Sequence, residues 1–295
     1  MTVRNILCCP QCKVELRDYE STNLQCSECA VVYLRNRSGQ LDLRPRHPFE
    51  RTLRFSVGSP YPTFEGIDLL PLKENPSPPV DLEKIAIPPH LTRELVSYFP
   101  DPKVAKKVLD LGCGDARHRR LCESLGYEYV GMDYSEDSAP MLADAHALPF
   151  VDASFDFVLS IAVFEHLRYP HLAITEVGRV LKTGGTFLGT VAFLEPFHQL
   201  SFFHHTHLGM VDVLEYGGFH VRKMCPSLEW HSLKAQAGMG MFPRLPRFLS
   251  TAIVWPTYAA HRLWWWAGRL FAKSATESDR ALMFSGAFYF VATKR

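Results

Sequence analysis

The sequence predicts an α/β chain, a parallel doubly wound sheet with helices on both faces, preceded by a small cysteine-held module. Three observations carry that expectation. The run Val108-Leu-Asp-Leu-Gly-Cys-Gly-Asp-Ala116 reads as a short buried strand opening into a glycine turn. Strand-like runs then alternate with helical segments toward the C-terminus. Ahead of them stand Cys9-Pro-Gln-Cys12 and Cys26-Ser-Glu-Cys29, two C-x-x-C knuckles separated by thirteen residues.

A chain of 295 residues can bury a sizeable core and carry a small satellite. Its 47% hydrophobic and 21% charged shares are ordinary for a globular protein. A net charge of +1 gives no global reason to expect nucleic acid. No long apolar run follows the first charges, so a signal peptide is not expected. Eight cysteines in such a chain read as metal ligands and buried thiols, not disulfides. The expected location is cytoplasmic, extending to the membrane periphery.

The first element is a ribbon over residues 1–44. Each knuckle presents two thiolates from a tight turn, so Cys9, Cys12, Cys26 and Cys29 supply the tetrahedral set that Zn²⁺ prefers. Cys8 is the alternative ligand, but Cys9 gives the regular spacing. Short strands are expected at Val14-Glu-Leu-Arg17 and Val31-Val-Tyr-Leu34. A module this small needs the metal to fold, and a closed four-thiolate site makes the zinc structural rather than catalytic. The core is expected to keep its cofactor affinity without it. Six arginines (35, 37, 44, 46, 51, 54) against Asp42 and Glu50 form either a phosphate-binding face or a solvated linker face.

Residues 45–102 hold more than half of the 21 prolines and read as an extended connector, with a short amphipathic helix over 91–99. Residues 103–295 form the core. After the glycine turn a helix is expected from Asp115 to Leu125, stopped by Gly126. A dinucleotide fingerprint would need a third glycine at Arg117, which disfavours NAD or FAD. Tyr127-Glu-Tyr-Val-Gly-Met-Asp133 reads as a second strand ending in a carboxylate. Asp144 follows so soon that the intervening helix must shrink to a turn at 135–138, leaving 141–144 as a short edge strand. A helix over 207–216 and strands over 218–224 and 286–294 close the core.

Asp110-x-Gly112-x-Gly114, Asp133, Asp144-Ala-His-Ala-Leu-Pro-Phe150 with Ser154-Phe-Asp-Phe-Val-Leu-Ser160, Glu165-His-Leu167, and Arg179-Val-Leu-Lys-Thr-Gly-Gly185 occur in one order. In that order they resemble class I S-adenosylmethionine-dependent methyltransferases of the type 11-like group. The resemblance covers residues 104–225 and resumes at 286–293. It implies a Rossmann-like sheet of seven strands and S-adenosylmethionine as cofactor. Asp110, Gly112 and Gly114 would then shape its methionine and ribose side, Asp133 would accept from the ribose hydroxyls, and Asp144 with Ala145 would flank the adenine. Ala116 replaces the third glycine of many relatives, a tolerable change if the backbone there is helical; Thr183 replaces the usual proline before Gly184. The N-terminal segment resembles ribbons fused ahead of many methyltransferase domains, with relatives in an rRNA guanine methyltransferase family and in a partner subunit of tRNA methyltransferases.

Methyl transfer from a sulfonium needs an in-line acceptor and sometimes a base. Bases are expected at the carboxyl ends of the strands. His166 lies there, as do the histidines of Phe202-Phe-His-His-Thr-His207, which suit an acceptor pocket or a metal. The sequence does not choose among them: the catalytic residue is unassigned, with His166, His205 and His207 as candidates. About sixty residues separate the last two strands where a short hairpin would do. All five tryptophans fall in this insertion at 226–280. It reads as a substrate lid, a membrane-surface contact or a homo-oligomer contact, and Pro256 is expected to break its apolar run. The reading is a methyltransferase acting on a small-molecule or lipid-linked acceptor. The alternatives are an rRNA or tRNA base methyltransferase that recognises substrate through the ribbon, and a non-catalytic cofactor-binding scaffold.

Overall fold

A computed structural model of the chain describes residues 3–20, 22–58, 63–83, 85–271 and 276–295. The ribbon contributes an antiparallel sheet of β1 (Leu16–Tyr19), β2 (Asn23–Cys26) and β3 (Val32–Tyr33), followed by β4 (Leu41–Asp42). The connector's one described helix, α1 (Arg93–Val96), is capped by Thr92, whose hydroxyl accepts from Leu95 N–H. Then come β5 (Lys107–Leu111), α2 (Arg119–Leu125), β6 (Glu128–Met132), β7 (Met141–Leu142), β8 (Phe155–Ile161), α3 (Pro170–Val180), β9 (Leu181–Ala192), α4 (His207–Tyr216) and β10 (Phe219–Pro226). The insertion holds α5 (Ser232–Ala235), a π-turn at Gln236–Met241, α6 (Arg247–Gly268) and α7 (Glu277–Phe284), before the last strand, β11 (Ala287–Lys294).

The main sheet runs β10-β11-β9-β8-β5-β6. β5 is parallel to β6 and β8, β8 is parallel to β9, and β11 is antiparallel to both β9 and β10. Its strands read as continuous apolar runs because both faces are covered. Leu109, Leu111 and Val158 turn to one face, where α3, α4 and the ribbon pack. Val108, Phe157 and Leu159 turn to the other, against Leu95, Phe99, Leu121 and Tyr127. The proline-rich connector thus forms a packed layer, with Val80 and Leu82 buried in that second core.

Three expectations need correction. Among the described residues the main sheet has six strands, not the expected seven. The seventh is reduced to β7, which pairs in parallel with the ribbon's β4 (Leu41↔Met141, Asp42↔Leu142) and meets the end of β6 through one bridge, Asp133↔Leu142. The helix after the glycine turn begins at Arg119 rather than Asp115, because Ala116 is left-handed (φ 59°) and cannot lie within a right-handed helix. Pro256 does not break its run. It sits inside α6 on an exposed face, where the carbonyl it leaves unbonded is open to water.

The ribbon is joined to the core by backbone and by charge. Cys8 N–H donates to the Pro149 carbonyl at 2.9 Å, Val151 N–H to Ile6 at 2.9 Å, and Leu43 N–H to Leu142 at 2.8 Å. Lys13 Nζ lies 2.5 Å from Glu176 Oε2 and 3.1 Å from the Leu148 carbonyl. Arg179 donates to both Glu176 oxygens at 2.9 Å, to Asp152, and to the carbonyls of Leu148 and Phe150. Burial pushes the Glu176 carboxyl up, but the Arg179 hydrogen bonds and the charge of Lys13 outweigh it and leave it below the usual carboxylate range.

Glu176→Ala would strand two cations at this junction, and urea unfolding should show a loss of about 3–5 kcal/mol. Because the native pKa is depressed, the contribution is complete above the unfolded value of about 4.3 and is lost as pH falls through the lower native one. Wild-type stability should therefore drop in acid more steeply than that of Glu176→Gln; equal slopes in the two would refute the assignment.

Candidate cofactor cleft and cysteine cluster

The glycine turn is anchored from beneath. Asp110, at the buried end of β5, is fully enclosed; its carboxylate lies 3.1 Å from His118 Nδ1 and accepts from Tyr129 Oη at 2.7 Å. Asp110 therefore fixes the start of α2 against β6, and shapes the turn from behind rather than from its open side. Above it Gly112, Gly114 and Ala116 all have positive φ. A Cβ on Gly112 would come within 2.6 Å of Val163 Cγ2, whereas the same position on Gly114 has nothing within 4 Å. The chain at 114 is bare backbone facing open space, the cradle that a close-approaching ligand needs.

Asp133 sits at the tip of β6, beside that space. Its Oδ2 accepts from Gly114 N–H at 3.1 Å, and its Oδ1 accepts from Ser135 and Glu136 N–H at 3.0 and 3.1 Å. A carboxylate offers about four acceptor sites, so one remains free and the Gly114 bond is the one a ligand could share. Asp144 Oδ1 accepts from His146 N–H at 2.9 Å and faces His146 Nδ1 at 2.7 Å. Burial raises the Asp144 pKa, but these bonds carry it below the usual range. Ala145 is buried in the core, which leaves only its backbone to touch a ligand.

The histidines separate. His205 is buried, with Nε2 3.3 Å from the Phe164 carbonyl, and is a structural member of the core edge. His207 begins α4, stacks on Phe64 at 5.0 Å, and has a buried Nδ1 with no partner. His166 is half-buried after β8, next to Glu165, whose carboxyl burial pushes up to about 8, with Glu195 adding to the rise. His198, which the sequence did not single out, packs edge-on against His166 with ring centroids 5.2 Å apart. Its signal was its place in the loop after β9, one turn ahead of the histidine cluster. Glu195 in that loop accepts from Trp230 Nε1 at 2.7 Å, which ties the insertion to the strand ends.

The four knuckle sulfurs, Cys9, Cys12, Cys26 and Cys29, lie within 4.8 Å of one another, a donor set compatible with a tetrahedral thiolate metal. Backbone N–H groups point at the sulfurs, with Cys12 N–H donating to Cys9 Sγ, and Glu28 and Cys29 N–H to Cys26 Sγ. Cys8 stands outside the cluster, its thiol pushed up to about 11 by burial. The arginine run is largely spent on the protein itself. Arg44 and Arg46 pair with Asp42, Arg51 donates to the Pro10 and Gln11 carbonyls, and Arg35 to those of Thr22 and Gly39. A cleft of about 440 Å³ separates the ribbon from β6; Arg4, Arg35, Arg119 and Tyr129 line it, and none of the predicted site residues does.

In the insertion α6 buries only Ser250 and Val254. Its inner stripe continues as an aromatic stack: Tyr258 lies 4.1 Å from His231 and His261 lies 4.0 Å from Phe284, centroid to centroid. Trp255, Trp264 and Trp266 face outward. Among the described residues no helix is long and apolar enough to cross a membrane. Residues 272–275 of the insertion lie outside the described residues.

Residues 109–189 match the family model for the methyltransferase domain. A protein of Encephalitozoon cuniculi named as a methyltransferase is 42% identical over 104 residues, 32% of this chain and 48% of its own length. The malonyl-[acyl-carrier protein] O-methyltransferase of Erwinia billingiae is 33% identical over 119 residues, 37% of this chain and 47% of its own. A mouse protein named as tRNA methyltransferase 9B is 32% identical over 98 residues, 30% of this chain and 22% of its own. The chain spans about half the length, or less, of these relatives.

Proposed function

We propose, from the premise that the core of this chain is a class I S-adenosylmethionine-dependent methyltransferase domain, that the protein methylates a small-molecule or lipid-linked acceptor held beside its aromatic insertion. The observation that carries this reading is the tie between Trp230 and Glu195, which sets the insertion against the loop at the carboxyl ends of the strands. That loop and α6 both display apolar side chains to solvent: Phe197, Leu200 and Phe202 on one, Phe248, Trp255, Trp264 and Trp266 on the other. Such a surface suits an apolar acceptor. The self-paired arginines argue against a phosphate-tracking face and so against the RNA reading, although relatives are named for acceptors as different as malonyl-[acyl-carrier protein] and tRNA.

The bound cofactor supplies an activated methyl group. The chain's part is to bind it, orient the acceptor and keep water away. Gly112 and Gly114 would let the backbone approach, Asp133 would accept from the ribose, and Asp144 with the Ala145 backbone would border the adenine. Zinc would hold the four-cysteine cluster, and metal analysis should find it in the native protein.

If Asp133 accepts from ribose, Asp133→Ala should weaken S-adenosylhomocysteine binding by about 2–3 kcal/mol in calorimetry, since charge-assisted bonds are lost. Unchanged affinity would remove Asp133 from the site.

Incubation of methyl-labelled cofactor and protein with a cell extract should place label in the organic-solvent or small-molecule fraction. Replacing Trp264 and Trp266 with serine should lower that turnover several-fold and leave cofactor affinity as it was. Label in phenol-extracted RNA would favour the RNA reading, and no label anywhere the scaffold.

A further inference from the structure

Three metal-ligating side chains converge beyond the carboxyl ends of β8 and β9. Glu165 and His166 lie in the single helical turn Phe164–His166 after β8, and His198 in the loop after β9. A carboxylate oxygen and one nitrogen of each ring lie within 4.8 Å of one another. Glu165 is 1% exposed, and its Oε2 and His166 Nδ1 are buried without a hydrogen-bond partner. Two buried polar atoms left without a partner are costly unless a bound group satisfies them.

His198 Nδ1 donates to the Pro196 carbonyl at 3.0 Å. That leaves its Nε2 to present a lone pair, with a backbone carbonyl orienting the ring, the usual support for a ligating imidazole. The two segments are also stitched together: Phe202 and Phe203 N–H donate to the Glu165 carbonyl at 2.7 and 3.1 Å. His204 lies beside His198, ring centroids 6.0 Å apart, and its Nε2 is 3.4 Å from Ser201 Oγ.

We propose that Glu165, His166 and His198 form a site for a divalent transition-metal ion, separate from the cysteine cluster. Two imidazoles and one carboxylate favour Mn²⁺, Fe²⁺, Co²⁺ or Zn²⁺ over Mg²⁺ or Ca²⁺. Three protein ligands leave coordination positions for water or for an acceptor oxygen. The site rests on this cluster alone and does not require the methyl-transfer reading.

Mn²⁺ is the first probe, because it competes poorly for thiolates; Co²⁺, read by its visible absorption, is the second. Protein carrying its native metal and no added cofactor is titrated with Mn²⁺ under electron paramagnetic resonance. One ion per chain should bind, and His198→Ala and Glu165→Gln should each weaken it by about tenfold or more, with metal at the cysteines unchanged. His198 lies in a surface loop, so the thermal transition of that variant should match the wild type. Failure of both ions to bind at about 1 mM beyond the cysteine-held metal, a concentration far above ordinary transition-metal site affinities, would overturn the site. So would equal binding by wild type and His198→Ala.

Discussion

The short return from β6 to β7 is the constraint on which the rest depends. Seven residues, 134–140, separate Asp133 from Met141, whereas a helical crossover between parallel strands needs about a dozen. No helix can form there, so β7 is a two-residue remnant with an exposed edge. That edge is filled by β4 of the ribbon, and Leu41, Leu43 and Tyr33 extend the same buried cluster as Met132 and Met141. The ribbon is therefore a structural part of the core. Its Gln40 donates to the Glu136 and Ala139 carbonyls, and Arg44 to that of Tyr134. These bonds hold the very turn that carries Asp133. An independent core, indifferent to the state of the ribbon, does not fit this arrangement.

What the sequence made legible is local chemistry. The strand and glycine turn, the two knuckles, the stop at Gly126, the shortened turn after Asp133 and the helix at 207–216 each follow from residue type within a few positions, where sterics and capping act. What it hid depends on partners distant in the chain. Ala116 gives no sign of positive φ, because the strain is imposed by packing around the turn. Pro256 reads as a breaker unless one knows that its face of α6 is exposed. The loss of a seventh strand, and the ribbon's use of the vacated edge, are facts of tertiary pairing.

The same contrast holds in the cleft. Glu165 and His166 could be placed after their strand by order alone, but His198 reaches them from a loop whose next two residues, Gln199 and Leu200, adopt left-handed backbone that residue type does not announce. Asp110 shows the opposite shift. An acidic residue before a glycine turn invites a role toward the ligand, yet here both its bonds are to protein, and its burial makes it an orienting group for His118 and Tyr129. A buried carboxylate with two partners is costly to remove and has little to offer a ligand.

The three features beyond the bare sheet meet at one end of it. The turn at 134–139 positions Asp133, the loop after β9 brings His198 to Glu165 and His166, and the insertion is fastened to that loop by Trp230 and Glu195. Gly240 in the π-turn sits close to Pro196, so the insertion and the loop share packing as well as a hydrogen bond. Pro196 is also the residue whose carbonyl orients the His198 imidazole. The contacts to the loop come from Trp230 and the π-turn, while α6, with only Ser250 and Val254 buried, leaves most of its surface to solvent.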